Sequence, residues 1–287
     1  VNTETADNQR DPSVTALADG GFVVTWESVN QDGSGEGIYG QRFDANGSPA
    51  GDEFLVNQSI DDNQGNPAVV GLSNGSFIVT WDWRNPSPSS GGVWGRLYST
   101  SGASSDQFPI NSHTPDVQIA PSVTALEDGG FVVTWQSRNQ DGDGYGIYGQ
   151  RYDANAGLVG TEFRVNTYTS SDQTDASVTA LNDGGFVVTW ESVGQDGDSD
   201  GVYGQRYEAN GTRLGPEFQI NTFTTSSQAD PSVSALREGG FVITWESVRQ
   251  DGSGSGVYGR IFEADNLATD REKFVLGDST GPFYGYG

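Results

Sequence analysis

The sequence predicts an all-β protein, a five-bladed β-propeller with about four antiparallel strands in each blade. Three observations lead there. One unit of roughly 55 residues recurs five times, and its tryptophans Trp26, Trp81, Trp135, Trp190 and Trp245 stand 55, 54, 55 and 55 residues apart. Each unit holds short β-branched and aromatic runs separated by Gly, Asn and Asp at even intervals, as strands joined by turns are. No stretch has helical periodicity over the length a helix needs. A β-helix would need a much shorter repeat, and a string of sandwich domains one about twice as long.

In the first unit, DPSVTALADGGFVVTWES from Asp11, the first strand is Ser13–Leu17 and ends at the turn Ala18-Asp19-Gly20-Gly21. The same segment returns from Asn66, Ala120, Asp175 and Asp230. Phe22–Trp26 is apolar almost throughout, as a strand buried on both faces is. A Gly-rich loop leads to Ile38–Phe43, and a turn at Asp44-Ala45-Asn46-Gly47 leads towards Glu53–Val56. The propeller spans 1–277, with blades over about 11–65, 66–119, 120–174, 175–229 and 230–277, and 278–287 form a tail or linker. Val1-Asn2-Thr3 repeats Val165-Asn166-Thr167, the end of a fourth strand. Residues 1–10 are therefore expected to close the ring, with Asn2 filling the place that Gly277 leaves.

The composition narrows the function. The chain has no Cys, which excludes a disulfide framework, a thiolate metal site and a cysteine nucleophile. The absence of Met suggests a mature product or a piece of something longer. Asp and Glu number 39 against 14 Lys and Arg, a net charge of -25, and Lys273 is the only lysine. Such a surface repels phosphate backbones and anionic membranes, so neither nucleic acid nor membrane insertion is expected. It suits a protein that collects divalent cations or stays soluble in salty water. No apolar run approaches a membrane span, and any export signal is expected outside this sequence.

In an up-and-down blade, the loop between strands two and three and the linker into the next blade emerge on one face. Both are unusual here. The loops read NQDGSGEG from Asn30, NQDGDGYG from Asn139, GQDGDSDG from Gly194 and RQDGSGSG from Arg249. Asp32, Asp141, Asp143, Asp196, Asp198, Asp200 and Asp251 are the candidate calcium ligands. Carboxylates at every second residue, with Gly at the bends, suit a cation that takes about 6–8 oxygens. The structural alternative is a solvated Asp-Gly-Ser loop. Each linker carries a Gln three residues before the Pro or Ala that opens a blade: Gln9, Gln64, Gln118, Gln173 and Gln228.

A second constellation flanks the aromatic positions. Glu27, Gln136, Glu191 and Glu246 directly follow the repeating Trp, and Gln41, Gln150 and Gln205 follow the Tyr-Gly pair of strand three. Carboxylates and amides beside aromatic rings suit sugar binding, because hydroxyls need fixed hydrogen bonds and sugar faces stack on rings. The structural alternative makes the rings inter-blade core and the polar groups partners of buried backbone. Blade two departs from the pattern, with Trp81-Asp82-Trp83-Arg84, a Pro-Ser loop at Asn85–Ser90, Trp94 in place of Tyr, and the only histidine, His113.

Repetition of the same polar groups favours multivalent binding over catalysis, which needs one asymmetric set. The sequence reading is thus a non-enzymatic, secreted or cell-surface module that binds glycans or other cell-surface ligands. The runner-up is a calcium-stabilised structural spacer, and a glycan-active hydrolase or lyase comes third. The unit GGFVVTWES followed by QDG, GIYGQRFDA and EF-x-VN resembles tandem repeats of large exported bacterial proteins of the RTX, haemolysin-type calcium-binding kind. That resemblance implies export to the medium or the bacterial cell surface and a calcium-rich setting; separately, the unit is expected to be monomeric within a larger chain. The G-G-x-G-x-D nonapeptide of RTX proteins is absent.

Overall fold

The computed structural model describes residues 1–84, 91–263 and the strand at 272–276, and no helix occurs among them. Blade one comprises β1 (Gln9–Ala16), β2 (Phe22–Val29), β3 (Glu36–Phe43) and β4 (Phe54–Leu55). Blade two comprises β5 (Asn63–Gly71), β6 (Phe77–Arg84), β7 (Gly91–Tyr98) and β8 (Phe108–Pro109). In blade three follow β9 (Gln118–Ala125), β10 (Phe131–Arg138), β11 (Tyr145–Tyr152) and β12 (Leu158–Arg164). Blade four has β13 (Gln173–Ala180), β14 (Phe186–Val193), β15 (Asp200–Tyr207) and β16 (Arg213–Gln219). Blade five has β17 (Gln228–Ala235), β18 (Phe241–Val248), β19 (Ser255–Phe262) and β20 (Glu272–Leu276).

Each blade is a four-stranded antiparallel meander, and the first strands of successive blades pack on one another, β1 on β5, β5 on β9, β9 on β13 and β13 on β17. First strands are therefore innermost. The second strand is buried on both faces, which is why FVVTW is apolar without alternation. Between blades three and four, Leu126, Val132, Ile147 and Val165 interlock with Val178, Val188 and the fully buried Trp190. The same side chains recur at the next interface, so the Trp register is inter-blade core.

The innermost strands are longer than the sequence suggested, and each is bulged. In blade one the register slips between Arg10 and Ser13, and pairing resumes at Arg10 opposite Glu27. The extra residue adopts a left-handed conformation in every blade: Asp11, Asn66, Ala120, Asp175 and Asp230 all have φ of 50–54°. A bulge frees one backbone N–H from the ladder and needs another acceptor for it. Fourth strands in blades one and two pair over only two residues.

One seam differs from the other interfaces. Val14 in blade one is 65% exposed, whereas Val69, Val178 and Val233 at the same position are 7, 7 and 6% exposed. On blade five Val257 is 46% exposed, against 0% for Ile38, Val93, Ile147 and Val202. Asn2 does take up the repeat's linker bond, its Nδ2 donating to Gln9 Oε1 at 3.1 Å. Val1 stays 66% exposed where Val165 is fully buried, so among the described residues nothing covers Val14 and Val257 at this seam. Gly277, the 278–287 tail and the 85–90 loop lie outside the described residues.

Candidate functional site

The linker glutamines hold the linkers in shape. Gln64 Oε1 accepts from Asn57 Nδ2 at 2.9 Å, and its own Nε2 donates to the Asp61 carbonyl at 2.7 Å. Gln118, Gln173 and Gln228 repeat the bond with Asn111, Asn166 and Asn221. Gln41, Gln150 and Gln205 donate to backbone carbonyls of their own blade, at Gly51, Val159 and Gly215. These amides are buried against backbone rather than gathered around a ligand space.

The loop aspartates divide in the same way. Asp141 Oδ2 accepts from Asn166 Nδ2 at 3.0 Å, and Asp196 Oδ2 from Asn221 Nδ2 at 3.2 Å. Asp143 and Asp198 reach across to the linker amides of Ser171 and Ser226, at 3.1 and 2.8 Å. Asp32 and Asp251 cap the amides of Ser34 and Ser253 within their own loops. Loop and linker thus meet on one face, as expected. Among the described residues no three Asp, Glu or His side chains converge as metal ligands.

The residue after each Trp does something specific: it accepts the amide freed by the next blade's bulge. Asn66 N donates to Glu27 Oε1 at 2.7 Å, Ala120 N to Asp82 Oδ2 at 2.8 Å, and Asp175 N to Gln136 Oε1 at 3.1 Å. Glu191 accepts the Asp230 amide. The charge around these acceptors is not symmetric. Glu27 is 0% exposed and paired with Arg10 Nε at 2.8 Å, and the same guanidinium also bonds Glu36. Asp82 is likewise fully buried and lies 2.8 Å from Arg84 Nε, although burial still pushes its carboxyl up. Glu246 is half-buried in β18, opposite Ala229.

Blade four keeps the carboxylates and omits the cation. Arg10 lies opposite Glu27, whereas Thr174 lies opposite Glu191. The place of Glu36 is taken by Asp200, which bonds the Ser227 hydroxyl. Asp175 and Asp230 complete the set from the bulges of β13 and β17. Among the described residues no Arg or Lys pairs with Glu191, which is half-buried and open to solvent. Burial, followed by the charges of Asp200 and Asp175, pushes its carboxyl up to about 7. Burial and the charge of Asp230 push Asp175 upward as well. Asp175 and Asp230 open their repeats in the sequence but are not among its candidate site residues, because the Asp before the Pro or Ala of a blade opening is a polar residue at a strand start.

No family model and no curated protein sequence matches the chain. Solved structures share its fold. An α-L-arabinanase of Penicillium chrysogenum complexed with arabinobiose superposes with a TM-score of 0.57 at 13% identity, over 88% of this chain and 76% of that one. An endo-arabinase from Bacteroides thetaiotaomicron gives 0.51 at 16% identity, over 90 and 95% of the two chains. The Hadza microbial sialidase Hz136 gives 0.59 at 11% identity, over 88% of this chain and 56% of its own. At these identities the likeness is one of fold, an all-β propeller. It nevertheless overturns the expectation of a non-enzyme, since arabinanases and a sialidase are built on this architecture. The symmetry behind that expectation also breaks in blade four.

Proposed function

We propose that the chain is a glycan-active propeller that cleaves glycosidic bonds beside the first-strand bulges of blades four and five. The observation that carries this reading is Glu191, a solvent-reaching carboxyl pushed up to about 7 among Asp175, Asp200 and Asp230, with no cation paired to it among the described residues. Glycoside cleavage needs two carboxyl groups in opposite protonation states, one to protonate the leaving oxygen and one to activate water or attack the sugar. A carboxyl titrating near neutral pH keeps its proton for the first task. Glu191 is the proton donor in this scheme. The ionised partner comes from Asp200 or Asp230, whose carboxylates lie close enough to raise it. The fold shared with arabinanases supports a carbohydrate substrate, and the resemblance of the repeat to those of RTX proteins supports an exported setting.

The test is release of reducing ends from arabinan, xylan, β-glucan and a sialylated glycan, comparing the whole chain with Glu191→Gln. Turnover of one of them, reduced roughly 100-fold or more in the variant, is expected from loss of a general acid. If all four substrates stay intact under the wild-type chain, or if the variant turns over normally, the cleavage reading fails.

A further inference from the structure

Blade two carries a different opening, on the other side of the fold's repetition. In the four other blades the residue two after the Trp is a fully buried serine, Ser28, Ser137, Ser192 or Ser247. Here it is Trp83, half-buried, with its indole N–H donating to the Asp61 carbonyl at 3.2 Å. Opposite Trp83 lies Gly92. Elsewhere the loop Asp folds over that glycine: a Cβ on Gly37, Gly146 or Gly201 would come within 2.7 Å of the carboxylate of Asp32, Asp141 or Asp196. The blade-two loop sequence contains no Asp. Trp94 replaces the buried tyrosine of β3, β11, β15 and β19, and it pairs with Trp81.

These changes leave two grooves, one on each side of a Trp83–Trp94 wall. The first is lined by Asn57, Ser59, Gln64, Trp81 and Gln107 besides the two indoles. The second is lined by Gly91, Gly92, Pro109, Asn111 and Thr114. In a chain of net charge -25, neither groove is lined by a charged side chain among the described residues. Even Gln107 stands where three other blades have Glu53, Glu162 and Glu217, and it accepts the Gln58 amide at 2.7 Å as those carboxylates accept theirs. Asn57, Gln64 and Asn111 are committed to the linker framework, which leaves the Ser59 and Thr114 hydroxyls and the Gln107 amide N–H facing the grooves.

We propose that the Trp83–Trp94 wall is a binding site for a neutral glycan, gripping one sugar ring by stacking. An indole face meets the C–H face of a sugar ring, while hydroxyls at the ring edge take the neighbouring amide and hydroxyl groups. Uncharged lining selects neutral sugars over uronic or sialic acids, which the acidic surroundings repel. The site rests on the glycan reading above but not on cleavage.

The variant that tests it is Trp83→Ser, since serine is what the repeat itself places there in four blades. Titration of the whole chain with arabino-, xylo- and cellohexaose, followed by tryptophan fluorescence and calorimetry, should detect binding of at least one of them. Trp83→Ser should weaken that binding about tenfold, the size expected of lost ring stacking. Leu158→Ala, at an exposed position of blade three, should leave it unchanged, and hexagalacturonate should not compete. If Trp83→Ser binds as the wild type does, if no neutral hexaose binds, or if hexagalacturonate binds equally well, the proposal is overturned. Binding that disappears in Trp83→Ser without any turnover by the wild type would defeat the cleavage reading alone.

Discussion

Asn166 Nδ2 donates to Gln173 Oε1 at 2.9 Å across seven residues of linker, while Asn166 Oδ1 accepts the Ile147 amide of the preceding blade at 2.8 Å. One side chain therefore sews the end of β11–β12 to the start of blade four, and the Asn57, Asn111 and Asn221 bonds repeat it. Asn166→Ala leaves a buried N–H without an acceptor. It should cost about 2–3 kcal/mol, the size of an unsatisfied buried donor plus a lost network bond. Urea unfolding measures it, and a change within error of zero would show that water replaces the amide.

Glu191 makes stability depend on pH with a definite sign. Its folded carboxyl titrates at about 7, above its ordinary 4.5, because of burial and the Asp200 and Asp175 charges. The folded chain therefore binds this proton more tightly than the unfolded chain. Stability contributed by protonated Glu191 falls as pH rises from about 4.5 to 7, and the charged form is a penalty above that window. Glu191→Gln removes the slope, and glutamine still accepts the bulge amide, as Gln136 does in blade three. Melting curves should show the variant gaining on the wild type between pH 4.5 and 7 and remaining higher at pH 8.

Thr174→Arg converts the blade-four site into the blade-one arrangement, in which Arg10 lies between Glu27 and Glu36. The fold already accommodates that trio, so the variant should melt no lower than the wild type. The guanidinium should draw the Glu191 carboxyl well below neutral and abolish its use as a proton donor, with turnover down about 100-fold at pH 7. A pH–rate profile checks this: the basic limb should move to lower pH. An unmoved limb would mean that Glu191 is not the titrating group.

Much of this architecture was legible in the residues. The Trp spacing and the FVVTW runs dictate blades, because only a strand sandwiched between others needs apolar groups on both faces. Glu191 was singled out by its place after Trp190, and Asp200 by its loop spacing, but they were assigned to different sites. Register across strands joins them: Val193 pairs with Asp200, which brings the loop carboxylate back beside the residue after the Trp. Asp175 and Asp230 were hidden by the bulge, since a left-handed residue inside a strand breaks the alternation from which facing is read. The amides were visible as a pattern, yet Gln beside an aromatic ring suits backbone carbonyls as well as hydroxyls. What distinguishes blade four is Asp200 beside Glu191 between two bulge aspartates, and carboxylates drawn from four places in the chain make no motif.

The seam at Val14 and Val257 has a further consequence. A fully closed circle of blades has no first or last member, and each blade leans on two others. Where that pair of faces is uncovered among the described residues, the stack has ends, and each end blade leans on one neighbour. Resistance to opening should then be graded along the chain, greatest in blade three and least at the termini. Blade two, with its tryptophan wall, and blade four, with its carboxylates, flank the most protected blade on either side. The tryptophan wall thus sits one step in from one end, while the carboxylate site reaches the other end blade through Asp230 and should respond first to a change at the seam.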